Sequence, residues 1–556
     1  MPVAFSLSNV NFSYRRSTRP ALRGINIEIP IGGISALAGR TGAGKTTLAR
    51  TINGLVPYFL GGDFSGQAEL FGRPLVRENR HEAIRRVGML FQDFEAQLFS
   101  TSVRAEVAFP LECRGIAPPE MAARVEQALI AVGLQKLKDR EPSTLSGGQK
   151  QRLALACLFA LDPEVLVLDE PTTDLDPAAK NEIAALLKGL ATRQRTVVLI
   201  EHETDLLLEA DRLFLMADGG IVGSGNTSAM FKDLDALSDC GVRPPAFGLL
   251  WRRLGLSGPP DTLEEALARL KQERFFASPP AQIRLAAGQK PLFTIEELCF
   301  SYPKGPEVLQ GINLEIMEGE ALAILGPNGS GKTTLVQHLN GLHQPKSGRV
   351  IFEGQDLSRK SVGLSGTQIG YVFQNPDHQI FCPTVFEEVA FGLKIRGIPR
   401  SKWKTPVAEA LIKVGLAGAE PFDPFLMTKG ERQKLALASV LVTEPKVLIL
   451  DEPTTGLDAL EQEAMAHLFR ELTRQGQTLI IITHSMDTAL ACAERAVLLK
   501  EGRIFADGPI RGIFAQPELL SQTQLCAPLI AQLSSKLGLG ALDMESLIRG
   551  LRRRPA

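Results

Sequence analysis

No apolar run in this 556-residue sequence approaches the ~18–20 residues that a membrane-crossing helix needs. Any service to a membrane is therefore expected from outside the bilayer. The seven cysteines, at positions 113, 157, 240, 299, 382, 492 and 526, include no Cys-x-x-Cys pair. That spacing argues against zinc or iron–sulfur sites and against a disulfide framework, and it implies a reducing compartment. The charges nearly cancel to −1, so the global basic footprint of nucleic-acid binders is missing. A local basic run, "RGLRRRPA" at the C-terminus, reads as a solvated tail. The opening "MPVAFSLSNVNFSYRRS" lacks an apolar core with a cleavage site, so no signal peptide is expected.

What is present is ordinary for a globular protein, with 44% hydrophobic and 22% charged residues. The length exceeds what one core supports and predicts two or more domains. Self-comparison shows why. "NFSYRRSTRPALRGINIEI" (11–29) recurs as "CFSYPKGPEVLQGINLEI" (299–316), and "VLVLDEPTTDLD" recurs as "VLILDEPTTGLD". An offset of 282 residues separates Gln92 from Gln374, Asp169 from Asp451 and His202 from His484. Upstream the offset is 287, from Lys45 to Lys332, because "GLVPYFLGGDFSGQ" is longer than "GLHQPKSGR". A duplicated unit of roughly 280 residues accounts for this. Each copy carries an appendage, 245–270 and 528–551, whose apolar spacing predicts short amphipathic helices. Between the copies, "FFASPPAQIRLAAGQKP" reads as the linker.

The chemistry begins at "ISALAGRTGAGKTT", an apolar strand followed by a Gly-rich turn and a helix start. Gly39, Gly42, Gly44, Lys45 and Thr46 fit G-x-x-x-x-G-K-[ST], as do Gly326, Gly329, Gly331, Lys332 and Thr333. Glycines let backbone N–H groups curl around phosphates at a helix N-terminus. The lysine reaches the terminal phosphates and the threonine hydroxyl binds Mg²⁺. The full phosphate loops run Gly39, Arg40, Thr41, Gly42, Ala43, Gly44, Lys45, Thr46, Thr47 and Gly326, Pro327, Asn328, Gly329, Ser330, Gly331, Lys332, Thr333, Thr334.

Two further strands, "EVLVLDEP" and "KVLILDEP", are continuous apolar runs that end in paired carboxylates. Asp169 and Asp451 stand where Mg²⁺ is needed, and Glu170 and Glu452 stand where a water would be polarised for attack on a γ-phosphorus. His202 and His484 end two more apolar strands, which suits contact with the γ-phosphate or the attacking water. Tyr14 and Tyr302, in "FSY", either stack on an adenine or pack in the core.

Together these residues resemble the ABC ATPase family over both halves of the chain. The resemblance implies ATP and Mg²⁺ as cofactors, with Gln92 and Gln374 as the metal-contacting Q-loops beside Thr46, Asp169, Thr333 and Asp451. It assigns Glu452, His484, Glu170 and His202 to catalysis and Tyr14 and Tyr302 to adenine. It assigns Asp176 and Asp458 to the D-loops, and "LSGGQ" with Ser146, Gly147, Gly148 and Gln149 to the family signature. The implied fold is α/β, with two tandem P-loop ABC-type nucleotide-binding domains. Each carries a helical signature subdomain and a small C-terminal helical extension. Expected boundaries are 1–235 and 291–515 for the ATP-binding domains, with 236–285 (extension and linker) and 516–556 (second extension).

In this family two units pair head to tail, so each ATP lies between one unit's phosphate loop and the other's signature. The second signature is altered: "LMTKGERQK" has Thr428, Lys429, Gly430 and Glu431 where the first has Ser146, Gly147, Gly148 and Gln149. Thr428 keeps a hydroxyl and Gly430 a flexible turn, while Lys429 gives up a glycine's conformational freedom. Two unequal sites are expected, with turnover mainly at the phosphate loop of the second half.

A narrower resemblance, carried by "FQDFEAQLF", "FQNPDHQIF" and the "EVAF" that follows each, is to energy-coupling-factor (ECF) ATPases. It implies a peripheral protein on the cytoplasmic face of a bacterial cell membrane, driving uptake of a vitamin or transition-metal ion. Its partners would be an integral membrane coupling protein and a membrane substrate-capture subunit, with no nucleic acid. Asp93, Glu95 and Asp377 are expected either to receive a basic coupling helix or to form a solvated acidic loop. The alternatives are a fused sugar-importer ATPase and a soluble non-transport ABC ATPase.

Overall fold

The computed structural model describes residues 2–15, 19–79, 81, 85–173, 175, 177–190, 195–277, 290–303, 305–357 and 368–553. Most of the expected linker, 278–289, lies outside them. The chain divides into two compact units, Met1–Pro245 and Ala246–Ala556.

In the first unit, the stretch "INIEI" buries Ile25, Ile27 and Ile29 while Asn26 and Glu28 stay exposed. That alternation makes Leu22–Pro30 one edge of a four-stranded sheet that continues through Val3–Tyr14, Gly62–Leu70 and Arg73–Pro74. Continuous apolar runs behave differently. Val165–Asp169 and Thr196–Ile200 are buried at every position, on both faces, and pair in parallel. They form the centre of a six-stranded sheet ordered Gly220–Asn226, Arg212–Ala217, Gly33–Gly39, Thr196–Ile200, Val165–Asp169, Val87–Leu90. The phosphate-loop strand, Gly33–Gly39, lies inside this sheet and leads into helix Lys45–Ile52. Helices Val103–Cys113, Pro118–Ala131 and Gly147–Leu161 pack together as the helical subdomain, sharing an apolar core with one face of the sheet.

The second unit repeats the plan. Its sheets run Glu307–Met317, Pro291–Ser301, Ser347–Phe352, Gln355–Asp356 and Ile369–Val372, Val447–Asp451, Thr478–Ile482, Ala321–Leu325, Arg495–Lys500, Arg503–Pro509. Its helical subdomain is Val385–Ile395, Lys404–Lys413 and Lys429–Leu441.

One grouping departs from the linear order of the repeats. Helices Ala246–Arg253 and Leu263–Gln272, expected as the extension of the first half, belong to the second unit. There they share a core with Leu529–Lys536 and Met544–Gly550, built on Phe247, Leu250, Trp251, Leu270, Leu533 and Leu547. Strand Phe275–Ala277 pairs antiparallel with Leu551–Arg553. Arg553 also forms an ion pair with Glu273 at 2.6 Å and lies over the Phe275 ring. The basic end is thus structured through Arg553, not a solvated tail, because strand pairing and the ion pair with Glu273 hold it.

Candidate functional site

Each phosphate loop is a tight cradle. Gly44 has φ +98°, and a Cβ there would sit 2.4 Å from the Ala21 carbonyl. Gly331 is alike, with φ +100° and a Cβ position 2.9 Å from Leu309 Cδ2. Only glycine permits this backbone, which turns the first N–H groups of the following helix toward one point. The lysines are buried over the same point. Lys45 Nζ donates to Gly39 O and Arg40 O at 2.7 and 2.9 Å, and Lys332 Nζ to Gly326 O and Pro327 O at 2.8 and 3.0 Å. A cationic ammonium above a ring of backbone donors suits a polyphosphate.

Beside each loop stands a buried carboxylate. Burial and then the adjacent Glu170 push Asp169 up to about 7, against the Thr46 hydroxyl and Lys45. Burial and then Glu452 push Asp451 up to about 6, against the hydroxyls of Tyr371 and Thr333 and the ammonium of Lys332. Such strain on a carboxylate is relieved by a divalent cation. Among the described residues no group of three or more His, Cys, Asp or Glu can hold a metal alone. The hard oxygen donors Thr46 with Asp169, and Thr333 with Asp451, fit Mg²⁺ completed by phosphate oxygens and water.

The two glutamates are held differently. Glu170 Oε1 contacts His202 Nε2 at 2.9 Å, while Oε2 accepts from Gln92 Nε2 at 2.8 Å. Glu452 Oε1 accepts the His484 backbone N–H at 2.9 Å and contacts His484 Nδ1 at 2.8 Å, while Oε2 accepts from Thr483 Oγ1. Burial pushes Glu452 up, but His484, Lys332 and Thr483 together bring it below its ordinary value. An ionised, oriented carboxylate is what activation of a water requires.

Tyr14 and Tyr302 both come to the phosphate-loop helices. Their hydroxyls lie 3.1 Å from Thr47 Oγ1 and 3.2 Å from Thr334 Oγ1. Tyr302 stays 41% exposed. Asp458 caps helix Ala459–Arg474, while Asp176 lies outside the described residues.

The altered signature is structurally sound. Ser146 and Thr428 each start a helix with a capping box, closed by Gln149 and Glu431. Among the described residues a Cβ at Gly147 would meet nothing within 4 Å, and no positive φ is needed, so Lys429 costs no backbone strain. The lysine stem instead runs past Gly456, 3.2 Å from where a Cβ would stand. Gly148 and Gly430 are tighter, facing Leu175 and Leu457. The difference lies in the caps. Thr428 Oγ1 donates to Glu431 Oε2 at 3.0 Å, which commits its proton. In the first half Gln149 takes the Ser146 backbone N–H, with Ser146 Oγ as an acceptor from Gln149 N.

Of the three acidic residues expected either to receive a basic coupling helix or to form a solvated acidic loop, two are paired inside the chain. Glu95 pairs with Lys150 at 3.1 Å and Asp377 with Arg432 at 2.6 Å. Asp93 Oδ1 accepts from Ala96 N. What the same segments expose is aromatic: Phe99, Phe109 and Phe381. Phe99 and Phe109 meet edge to face at 4.8 Å, and Phe381 and Phe391 do so at 4.7 Å. These four residues close the repeated "QLF"/"QIF" and "EVAF" motifs, so their recurrence is the available signal. Tyr371 and Glu201 carry no signal of their own, since they differ between the halves.

Sequence comparison agrees with this geometry. The ABC transporter family profile matches residues 22–173 and 309–455. An ABC transporter ATP-binding protein of Caldanaerobacter subterraneus subsp. tengcongensis is 39% identical over 560 residues, covering 98% of each chain. Another, from Methanosarcina acetivorans, is 41% identical over 562 residues, covering 98% of this chain and 92% of that one. Among solved structures, cbiO1 from Clostridium perfringens, part of the ABC transporter complex cbiONQ, is similar. It is 38% identical, with a TM-score of 0.39, over 44% of this chain and 98% of that one. The chain belongs to the ABC transporter family. It is an ATPase with two ABC domains, uses ATP with Mg²⁺, and energises transport. Among the described residues no helix is long and apolar enough to cross a membrane.

Proposed function

We propose that this chain is both ATPases of an ECF-type importer in one polypeptide, peripheral to the cytoplasmic face of a cell membrane. Its cargo is a vitamin or a transition-metal ion. The cargo is held by a membrane substrate-capture subunit, and an integral membrane coupling protein docks on the chain. The observation that carries this reading is the edge-to-face phenylalanine pair beside each Q-loop, Phe99 with Phe109 and Phe381 with Phe391, of which Phe99, Phe109 and Phe381 are exposed. Phe99 and Phe381 are 64% and 58% exposed, a cost in water that an apolar partner helix would remove. Both occupy the same positions in the two halves, as two docking points on one membrane partner require.

The two halves pair head to tail, and the sites are unequal. Each site takes its phosphate loop, carboxylates and histidine from one half and its signature from the other. The Thr428 hydroxyl, committed to Glu431, serves the site of Lys45, Asp169, Glu170 and His202 poorly. Ser146 serves the site of Lys332, Asp451, Glu452 and His484.

The test is co-purification of membrane proteins with the full chain. Phe99→Ser together with Phe381→Ser is expected to release an integral membrane partner while detergent-solution ATPase activity persists. A partner retained at wild-type level by that variant would reject the docking role. Recovery of ribosomes or DNA in place of a membrane protein would reject transport of any kind.

A further inference from the structure

The buried carboxylate of Glu201 has no place in the chemistry described so far. It is 2% exposed and directly precedes His202, at the end of strand Thr196–Ile200. The equivalent residue of the second half is Thr483, 0% exposed. Glu201 Oε1 accepts the His202 backbone N–H at 2.8 Å and the Glu203 N–H at 3.3 Å. Its Oε2 accepts from Thr172 Oγ1 at 2.7 Å.

The backbone N–H of the histidine is the group over which the two halves part company. In the second half it goes to the catalytic carboxylate, Glu452, whose same oxygen lies against His484 Nδ1. With the near nitrogen engaged, the far nitrogen of His484 is directed away from Glu452. In the first half Glu201 has taken that N–H, and Glu170 lies instead against the far nitrogen, His202 Nε2. Among the described residues, His202 Nδ1 is left buried with no hydrogen-bond partner. The nitrogen that can reach furthest from the backbone is therefore bound to the catalytic glutamate in one half and turned away from it in the other.

A second difference supports the first. Thr454, the counterpart of Thr172, has its hydroxyl 3.0 Å from Thr488 Oγ1. The first half has Leu206 at the position of Thr488, which cannot accept, and the Thr172 hydroxyl turns to Glu201. Two positions thus change together: Thr483 with Thr488 in one half, Glu201 with Leu206 in the other. A lone carboxylate buried by drift would lack this matched donor.

We propose that Glu201 is a positioning residue that takes the backbone N–H of His202 from the catalytic glutamate and so holds His202 Nε2 on Glu170. The two ATP sites then differ within each half, independently of the signature each receives. This inference does not rest on the transport role proposed above; only its kinetic test takes from that reading the head-to-tail pairing of the halves.

The first readout is the ring nitrogen spectrum of the full chain, labelled with ¹⁵N-histidine and assigned by His202→Gln and His484→Gln. His202 is expected to carry its proton on Nε2 and His484 on Nδ1. Glu201→Thr is expected to move His202 to the His484 pattern, and Glu201→Thr with Leu206→Thr serves where the single variant does not fold. Identical patterns for the two histidines in the wild type, or an unmoved His202 in a folded variant, overturn the proposal.

The second readout is kinetic and uses the site that receives the intact signature. In a Glu170→Gln chain, Thr483→Glu is expected to lower kcat several-fold while ATP affinity is retained. Thr483→Gln, which also offers an acceptor to the His484 N–H, is expected to act in the same direction. An unchanged kcat in either folded variant overturns the proposal, whereas parallel loss of kcat and ATP affinity identifies a merely structural role and overturns it too.

Discussion

The Tyr371 hydroxyl donates to Asp451 Oδ2 across 2.9 Å, from strand Ile369–Val372 to the end of its parallel neighbour Val447–Asp451. The phenol is largely buried, and desolvation with the nearby Asp451 charge keeps it protonated as a donor. At the equivalent position of the first half stands Met89, whose sulfur faces Asn53 Nδ2 at 2.8 Å and offers Asp169 no hydrogen. Tyr371 therefore fixes which lone pair of Asp451 faces the phosphate loop. Loss of an outer hydrogen bond to a metal ligand costs about 10–100-fold in metal affinity. Tyr371→Phe is expected to weaken Mn²⁺ binding to the ATP-loaded chain at one of two sites, as counted by electron paramagnetic resonance of free Mn²⁺. Two unchanged sites would leave Tyr371 a packing residue.

Glu452 and Glu170 are expected to differ in worth. Removal of a positioned general base lowers turnover by about 10²–10⁴-fold. Glu452→Gln should approach that loss in steady-state hydrolysis, whereas Glu170→Gln should leave most of the activity. Equal losses in a phosphate-release assay would reject unequal sites.

The cap of the second signature offers a gain-of-function variant. Glu431→Gln keeps the capping box but turns a pure acceptor into the amide found at Gln149. It removes the strong pull on the Thr428 proton. In a Glu452→Gln background, residual hydrolysis is expected to rise. Lys429→Gly should add less, since no strain exists there to relieve, and it costs the helix start up to about 1 kcal/mol.

The joint core of the appendages predicts a long-range effect within the second unit. Trp251 is 1% exposed among residues from both appendages, with Arg269 lying over its ring. Trp251→Ala removes a large buried side chain at a cost of about 3–5 kcal/mol. Hydrogen exchange is expected to quicken in 529–553, far along the sequence, and not only in 246–277. Exchange confined to 246–277 would mean the two appendages are stable separately.

The phosphate loops, the strand-end carboxylates, the histidines and the repeat are all legible in the sequence. Each is a local pattern, in which spacing along the chain fixes geometry: a strand, a glycine turn and a helix start need no distant partner to be recognised. Even the helix start of the altered signature is implied, because Thr428 and Glu431 stand three residues apart, as a capping box requires.

Other features depend on residues far apart along the chain. Asp377 and Glu95 read as either receiving a basic helix or forming a solvated loop, but Arg432 and Lys150 reach them across about 55 residues of chain. Position in the repeat puts the 245–270 appendage with the first half. Its apolar faces instead meet those of the second extension, because neither pair of short helices can bury itself alone.

Local spacing is enough to make this chain a pair of phosphate-binding ATPase units, since a glycine turn between strand and helix dictates that chemistry wherever it occurs. Which hydrogen each of the two strand-end glutamates receives is set by packing alone. Glu170 and Glu452 follow the same strand motif, yet Glu201 and Thr483, reaching in from the neighbouring strands, give them different partners. A hydrogen bond is fixed by distance and direction between atoms, and no pattern along the chain specifies either.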